Sequence, residues 1–456
     1  MQSLLLERKL GDISPLQFHR HIVDNYYHRQ LAQTAKYNVF PRNCHNGASV
    51  NSLSLEKHEN RFLLSGCADS SIKLWDLNEQ DVVRVENQVD ANFSKQSFRH
   101  HPSKFDLFDY DNPISVFRAV ATIPKRSQHQ FGVSTIQWWP FDTGMFVTSS
   151  FDHTVKIWDT NELMPVHNFN VNNRVYSIDV NGRKSLIATA SDQPFVRILD
   201  MKSTSSAHTL KGHKNKTLVV KWHPINENLL ATGGYDGEVR IWDIRRSESL
   251  LCRLDMLTTN ATIAGGSASA PLIQSSVKAH SAPVNGLVWD ESGTILYTTG
   301  NDDKIRAWDM MNSTYPPRNK LVNFGALTRN KYPQTIPMLL NPKQETSFNY
   351  LLFPSESGEI LVFRAIDGKL VNRLARRNTK SSARVSSMVN RGCFTGKYIC
   401  GTVDGEIVSW EPFADAIDMD EIAEIGDDDQ TMEVEELLLR RQTLALKAKQ
   451  LMHSLE

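Results

Sequence analysis

The sequence predicts an all-β chain, a seven-bladed β-propeller preceded by a helical arm and followed by an acidic, then helical, tail. The first observation is a recurring pattern, Asp-x-x-[Val/Ile]-x-x-Trp-Asp, at Asp69–Asp76, Asp152–Asp159, Asp236–Asp243 and Asp302–Asp309. Three weaker copies bring the total to seven, enough to close a ring: Asp192–Asp200 with Leu199 in place of Trp, Gly358–Arg364 with Phe363, and Asp404–Glu411 with Trp410. Trp158, Leu199 and Trp242 follow one another at the roughly 40–45-residue period of a four-stranded blade, and Gly212-His213 stands ahead of its Trp-Asp as the WD-repeat signature requires.

Residues 1–35 read as a helical arm. Ser14-Pro15-Leu16-Gln17 is a capping box with Pro at the first helical position, and Ile13 and Phe18 flank it as a hydrophobic staple. Leu16, Val23, Tyr27 and Leu31 share one helical face, and a shorter segment around Leu4, Leu5 and Leu6 stops at Gly11. The apolar surface of this arm, including Leu4, Leu5, Phe18 and Ile22, suits docking to a partner, with a cap packed on the chain's own ring as the plainer reading.

The ring itself is expected over 36–413. Within a blade, Val239 and Ile241 alternate on a buried third strand, and Asp236 occupies the turn ahead of it. Its carboxylate can bond the His213 imidazole, extended by Thr232 and the Trp242 indole. His280, Asp302 and Trp308 repeat the arrangement. Recurrence at blade spacing marks these His-Asp pairs as structural networks, not catalytic dyads. Insertions are expected at 78–131, which carries the strand-like Ile114–Thr122, and at 257–278, rich in Thr, Ala, Ser and Gly. Residues 414–456 form an acidic linker, with eleven acids and no base between 415 and 436, and then an amphipathic helix.

Composition narrows the function. Lys+Arg and Asp+Glu balance at 51 each, which argues against sequence-blind phosphate binding, and no direct sequence-specific nucleic-acid contact is expected. Five cysteines without a C-x-x-C pattern fit reduced thiols inside a cell. The leucine run at the start is too short for a signal peptide, and no apolar stretch reaches membrane-spanning length, so no membrane partner is expected. Phosphate-loop, H-E-x-x-H and G-x-S-x-G motifs are absent, and His100-His101 lacks a third ligand at metal-site spacing. No enzyme, cofactor, catalytic residue or metal is expected.

The run from Val133 to Phe146, Val-Ser-Thr-Ile-Gln-Trp-Trp-Pro-Phe-Asp-Thr-Gly-Met-Phe, continues from Thr148 to Asn161 and is more specific than a generic blade. It closely resembles the Cockayne syndrome group A protein family. His45 to Asp76, Gly212 to Arg246 and Ala279 to Trp308 are similar to that family in order and spacing, and the resemblance covers most of residues 1–310. It implies a nuclear substrate receptor of a cullin-4 RING ubiquitin ligase in transcription-coupled nucleotide excision repair. It also implies adaptor contact through a sixteen-residue Trp-Asp-x-Arg box, here Leu230–Arg245 with Trp242, Asp243 and Arg245, and through the N-terminal arm. The implied partners are the damaged-DNA-binding adaptor subunit with its cullin-4 RING ligase, a chromatin-remodelling ATPase of the Cockayne syndrome group B type and stalled RNA polymerase II. The long 78–131 connection and the acidic tail depart from the family pattern. A WD-repeat scaffold in chromatin or RNA processing, without a ubiquitin-ligase link, is the alternative.

Arg245 is expected at the surface, on the face opposite the Asp-bearing turns. The residue before each such Asp should rim the channel on the other face: Ala68, Phe151, Ser191, Tyr235, Asn301 and Val403. Phe151, Tyr235 and Asn301 are the candidate partner contacts there, the two aromatics having the profile of interface anchors.

Overall fold

A computed structural model describes residues 8–10, 13–25, 27–28, 31–33, 40, 45, 47–83, 114–247, 249–258, 277–311, 317–374, 383–392 and 396–412. Seven four-stranded antiparallel sheets make up the ring. In blade 4 the strands run Thr217–Trp222, Leu229–Gly234, Val239–Asp243 and Leu250–Arg253, from the channel outward. Blades 1, 2, 3 and 5 begin at Val50, Val133, Val175 and Val284, blade 6 at Leu339 and blade 7 at Val385. Ile114–Ile123 is the outer strand of blade 1 and pairs with Ile72–Val83. The three weaker copies are third strands in their own blades, Phe195–Asp200, Ile360–Arg364 and Ile407–Pro412.

The sheets are stacked by their alternation. Trp75, Trp158, Trp242 and Trp308 are all essentially inaccessible, and each third strand buries β-branched residues against its neighbours. Two faces follow from the strand directions. The upper face carries the turns between second and third strands and the connections between blades. The lower face carries the turns between first and second and between third and fourth strands.

Six of the seven inner strands share an irregularity. The register skips one residue near the upper end of blades 1, 2, 3, 4, 5 and 7, and the skipped residues are Asn51, Ser134, Tyr176, Leu218, Asn285 and Ser386. A bulge re-aims the extra side chain out of the ladder. Five of these residues line the central cavity, whereas Asn285 binds the connection that enters it. Blade 6 has an inner strand of only two residues and no such skip.

The N-terminal segment departs from the all-helical arm expected for 1–35. Pro15–Asn25 is a helix, closed by both bonds of the capping box: Ser14 N–H to Gln17 Oε1 at 3.0 Å and Gln17 N–H to Ser14 Oγ at 3.3 Å. Leu31–Gln33, by contrast, is the outermost strand of blade 7, paired antiparallel with Trp410–Pro412. As a strand, this segment covers the backbone edge of Trp410–Pro412, which a helical continuation would have left unpaired. The ring is therefore closed by the chain's own early residues.

Candidate functional site

Arg245 follows the third strand of blade 4 and lies on the lower face. Its side chain is 63% exposed and forms a fork with Asp243: Nε to Oδ1 at 3.2 Å and Nη2 to Oδ2 at 2.9 Å. The Asp243 carboxylate also accepts the Arg245 backbone N–H at 3.1 Å, and Arg246 lies within 4.0 Å. The bond from Arg245 holds the Asp243 carboxyl below its usual range. Asp243 is buried, so it positions the guanidinium from beneath and leaves the remaining N–H groups facing outward. Trp242, which belongs to the expected adaptor set, is enclosed in its own blade rather than presented at the surface. It is 1% exposed and donates its indole N–H to Thr232 Oγ1 at 2.8 Å. Its part in the box is to fix the strand that carries Arg245.

The helical arm sits on the same lower face. Arg20 donates to the Gln344 carbonyl at 3.1 Å, and Asp24 accepts the Ser347 N–H at 3.1 Å, both in the loop between the first two strands of blade 6. Val23 and Tyr27 are inaccessible and packed with Tyr350, Leu352 and Tyr398. The Tyr27 ring stacks on Tyr350 at 4.6 Å, its hydroxyl meets Tyr398, and the Tyr350 hydroxyl donates to Asp24 at 3.2 Å. This half of the helix realises the plainer reading, a cap on the chain's own ring, because Val23 and Tyr27 fill a pocket between blades 6 and 7. Phe18 and Ile22 are half-buried, and Leu16 is exposed. Leu4 and Leu5 lie outside the described residues.

On the upper face the His networks close. His213 Nδ1 stands 3.1 Å from Asp236 and Nε2 2.8 Å from Thr232, while His280 stands 2.9 Å from Asp302 and 2.7 Å from Thr298, which also receives the Trp308 indole at 2.9 Å. Sequence reasoning missed a third network, His129 with Asp152 at 2.8 Å, Thr148 at 2.7 Å and Trp158. His129 follows Gln128, neither the glycine that precedes His213 nor the small alanine that precedes His280, so the usual pair signal is absent. In blade 1 a serine intervenes: His45 bonds Ser71 at 2.9 Å, Ser71 bonds Asp69 at 2.5 Å, and Ser65 takes both His45 and Trp75. Every His imidazole here has both nitrogens engaged within its own blade, which leaves none directed at a substrate.

Gly234 and Gly300 are required by this packing. A Cβ at Gly234 would lie 2.4 Å from Asp236 Oδ1 and 2.6 Å from His213 Nδ1, and one at Gly300 2.8 Å from His280. Blade 1 has Cys67 at that position, and His45, Cys67 and Asp69 form the one cluster of potential metal donors among the described residues, within 4.8 Å of one another. The Cys67 thiol donates to the Ser49 carbonyl at 2.9 Å and burial pushes it up to about 12, so this set belongs to the blade's hydrogen-bond network.

The channel mouth on the upper face opens into a cavity of about 710 Å³. Phe151 and Tyr176 contribute to its wall, with ring centroids 6.1 Å apart. Lys216 lies over both Tyr176 and Tyr235, at 5.3 and 5.0 Å. Tyr235 is 40% exposed, and Asn301 is half-buried with its amide on the Lys331 carbonyl at 3.1 Å. Of the residues expected along this rim, Ser191 is fully buried, while Ala68 and Val403 are exposed. Across the mouth, the connection from blade 5 to blade 6 is held by Asn285, which bonds Asn330, Tyr332 and Gln334, each at 2.9 Å.

These repeats and the closed ring define a WD40-repeat protein. A family model described as WD domain, G-beta repeat matches residues 37–76, 120–159, 204–243 and 272–309. The chain is 29% identical over 345 residues to WD repeat-containing protein ATCSA-1 of Arabidopsis thaliana, covering 62% of this chain and 70% of that protein. It is 28% identical over 307 residues to Radiation-sensitive protein 28 of Saccharomyces cerevisiae, covering 61% of this chain and 60% of that one. A ribosome biogenesis protein WDR12 homolog of Culex quinquefasciatus is 33% identical over 195 residues, 42% of this chain and 41% of that protein. No helix among the described residues is long and apolar enough to cross a membrane.

Proposed function

We propose that this propeller is a substrate-receptor subunit of a cullin-4 RING ubiquitin ligase in the nucleus, acting in transcription-coupled nucleotide excision repair. In this reading the lower face binds the damaged-DNA-binding adaptor through Arg245 and the arm around Phe18 and Ile22, with Leu4 and Leu5 beyond the described residues. The upper face, with Phe151, Tyr235 and Asn301, holds a repair partner, a chromatin-remodelling ATPase of the Cockayne syndrome group B type at stalled RNA polymerase II. The carrying observation is the coincidence on one face of the exposed, Asp243-clamped Arg245 and the N-terminal helix. The Trp-Asp carboxylate recurs in other blades, where it meets Arg61, the Asn161 N–H or the Met311 N–H, whereas a fork to an arginine two residues on is particular to blade 4 among the described residues. The similarity to ATCSA-1 and Radiation-sensitive protein 28 supports the same reading over more than half of the chain.

The alternative is a scaffold in RNA processing, favoured by the ribosome biogenesis relatives. Their matches cover 41% to 54% of the chain, a span that shared blades account for. Affinity purification of the full chain with identification of the co-purifying subunits separates the two. A cullin and its adaptor, lost on Arg245→Glu, are expected. Recovery of ribosome-assembly factors alone would overturn the proposal.

A further inference from the structure

We propose that the upper mouth of the channel binds an acidic linear peptide that inserts one large apolar side chain between blades 2, 3 and 4. This deepens the reading of the upper face as the partner-binding one and rests on it for the location. The evidence is an asymmetry around the channel. Of the six bulged inner-strand residues, Asn51, Ser134, Asn285 and Ser386 are small or amide-bearing, whereas Tyr176 and Leu218 are large and sit on adjacent blades. The bulge turns both toward the cavity, where Phe151 joins them and Phe131, 64% exposed, stands at the edge. The cavity thus has an aromatic flank open to solvent at its rim, and Pro333, Ile336 and Pro354 close the wall across from it.

The charges around that flank are one-sided. Arg174, Lys216 and Arg384 line the cavity, against Glu356 as the one acid in the lining. Glu356 accepts the Lys331 and Tyr332 backbone N–H groups, so part of its charge is spent on holding the connection in place. Asp192 lies nearby and accepts the Tyr176 hydroxyl at 3.2 Å. Among the described residues Lys216 lies over two aromatic rings and forms no ion pair, and Arg384 lies over Tyr332 at 4.8 Å, bonds Gln334 and shares the field of Glu356. A ring face attracts the ammonium without cancelling its charge, so the cation remains available to a carboxylate arriving from outside. Cations flanking an aromatic pocket select a peptide with acids on either side of an apolar anchor, and the complementary field both steers and orients it.

The probe is a short fluorescein-labelled peptide of alternating acidic residues with a central tryptophan, titrated into the full chain by fluorescence anisotropy. The controls are a tryptophan-free polyglutamate of equal length and a peptide with lysine in place of every acid. The acidic tryptophan peptide is expected to bind at least about tenfold more tightly than either control, and Arg174→Glu with Lys216→Glu should weaken it by about tenfold or more. Arg245→Glu, on the other face, should leave it unchanged. Tyr176→Phe, which keeps the ring, should retain binding and shows that the fold is intact. Equal binding of polyglutamate would identify a bare polyanion site and overturn the proposal, as would binding unaffected by the charge reversals. No peptide binding by the unaltered chain, while Phe151→Ala with Tyr235→Ala loses the cellular repair partner, would uphold the face and refute the peptide. Peptide binding with partner capture intact would do the reverse.

Discussion

In blade 5 the third strand, the second strand and the preceding connection bring together Trp308, Thr298 and His280. In neighbouring blade 6 the same register holds Phe363, Phe353 and Phe324. His280 and Thr298 are fully buried but bonded at every polar atom through Asp302 and the Trp308 indole. The three phenylalanines are buried to the same degree with no polar atom, and Phe324 meets Phe363 edge-on at 5.6 Å. One blade is fixed by directional, charge-assisted bonds, the other by aromatic burial. The polar solution specifies which residues must be present and so leaves a sequence signature; the apolar one asks only for volume. Blade 6 also carries the N-terminal helix, whose Tyr27 stacks on Tyr350.

The largest effect expected from breaking this comparison is on the apolar side. Phe363→Ala should destabilise the chain by about 3–5 kcal/mol, since it removes a ring from a site that cannot collapse around the gap. Urea denaturation checks it, and a loss below 1 kcal/mol would mean that blade 6 is loosely packed. Deleting residues 1–31, which strips Val23 and Tyr27 from their pocket and removes part of the closing strand, should likewise give an aggregation-prone chain. Deleting only 1–13 should leave the ring soluble.

On the polar side, Asp302→Ala should cost about 1–3 kcal/mol, because His280 and Arg306 lose their shared acceptor. The pH dependence sharpens the contrast. Burial lowers His280, and burial with the Lys73 charge lowers His45 to about 4. A histidine with a depressed folded value binds protons more readily when unfolded. Its stabilisation is complete above the unfolded value near 6.5 and is lost as pH falls toward the folded one. Burial opposes the charge on Asp302, but the bonds from His280 and Arg306 outweigh it and hold the carboxyl well below its usual range. Its contribution is present above about pH 4 and lost below. The denaturation midpoint should therefore fall between pH 7.5 and 5, and the further loss from Phe363→Ala should be the same at both. A Phe363→Ala loss that changed with pH would show that the two blades are not chemically separate.

The smallest effect on stability belongs to Arg245→Ala, which should leave the unfolding midpoint nearly unchanged, as the side chain is mostly in water. Unfolding by calorimetry measures it, and a drop comparable with that of Asp302→Ala would assign the Asp243 fork a structural role.

The same contrast explains what the sequence made legible. Blades 1, 2, 4 and 5 announce themselves by Trp-Asp, and even Leu199 and Phe363 were found by register. His129 follows the long polar Gln128, not a glycine or alanine, and leaves no such pair signal. The closing strand Leu31–Gln33 was read as helix because three residues carry no alternation and their partner is Trp410–Pro412, at the other end of the ring. The bulges at Tyr176 and Leu218 leave no trace in composition, since any residue can occupy a skipped position. The sequence marks only the positions beside the aspartates, where Phe151 and Tyr235 lie but Ser191 is buried.

The central claim is that the two faces bind different partners independently, and reciprocal capture from one cell extract tests it most directly. Arg245→Glu should lose the cullin-4 adaptor and keep the repair ATPase. Phe151→Ala with Tyr235→Ala should lose the ATPase and keep the adaptor. If each variant loses both partners, or neither loses any, the two-face account is wrong.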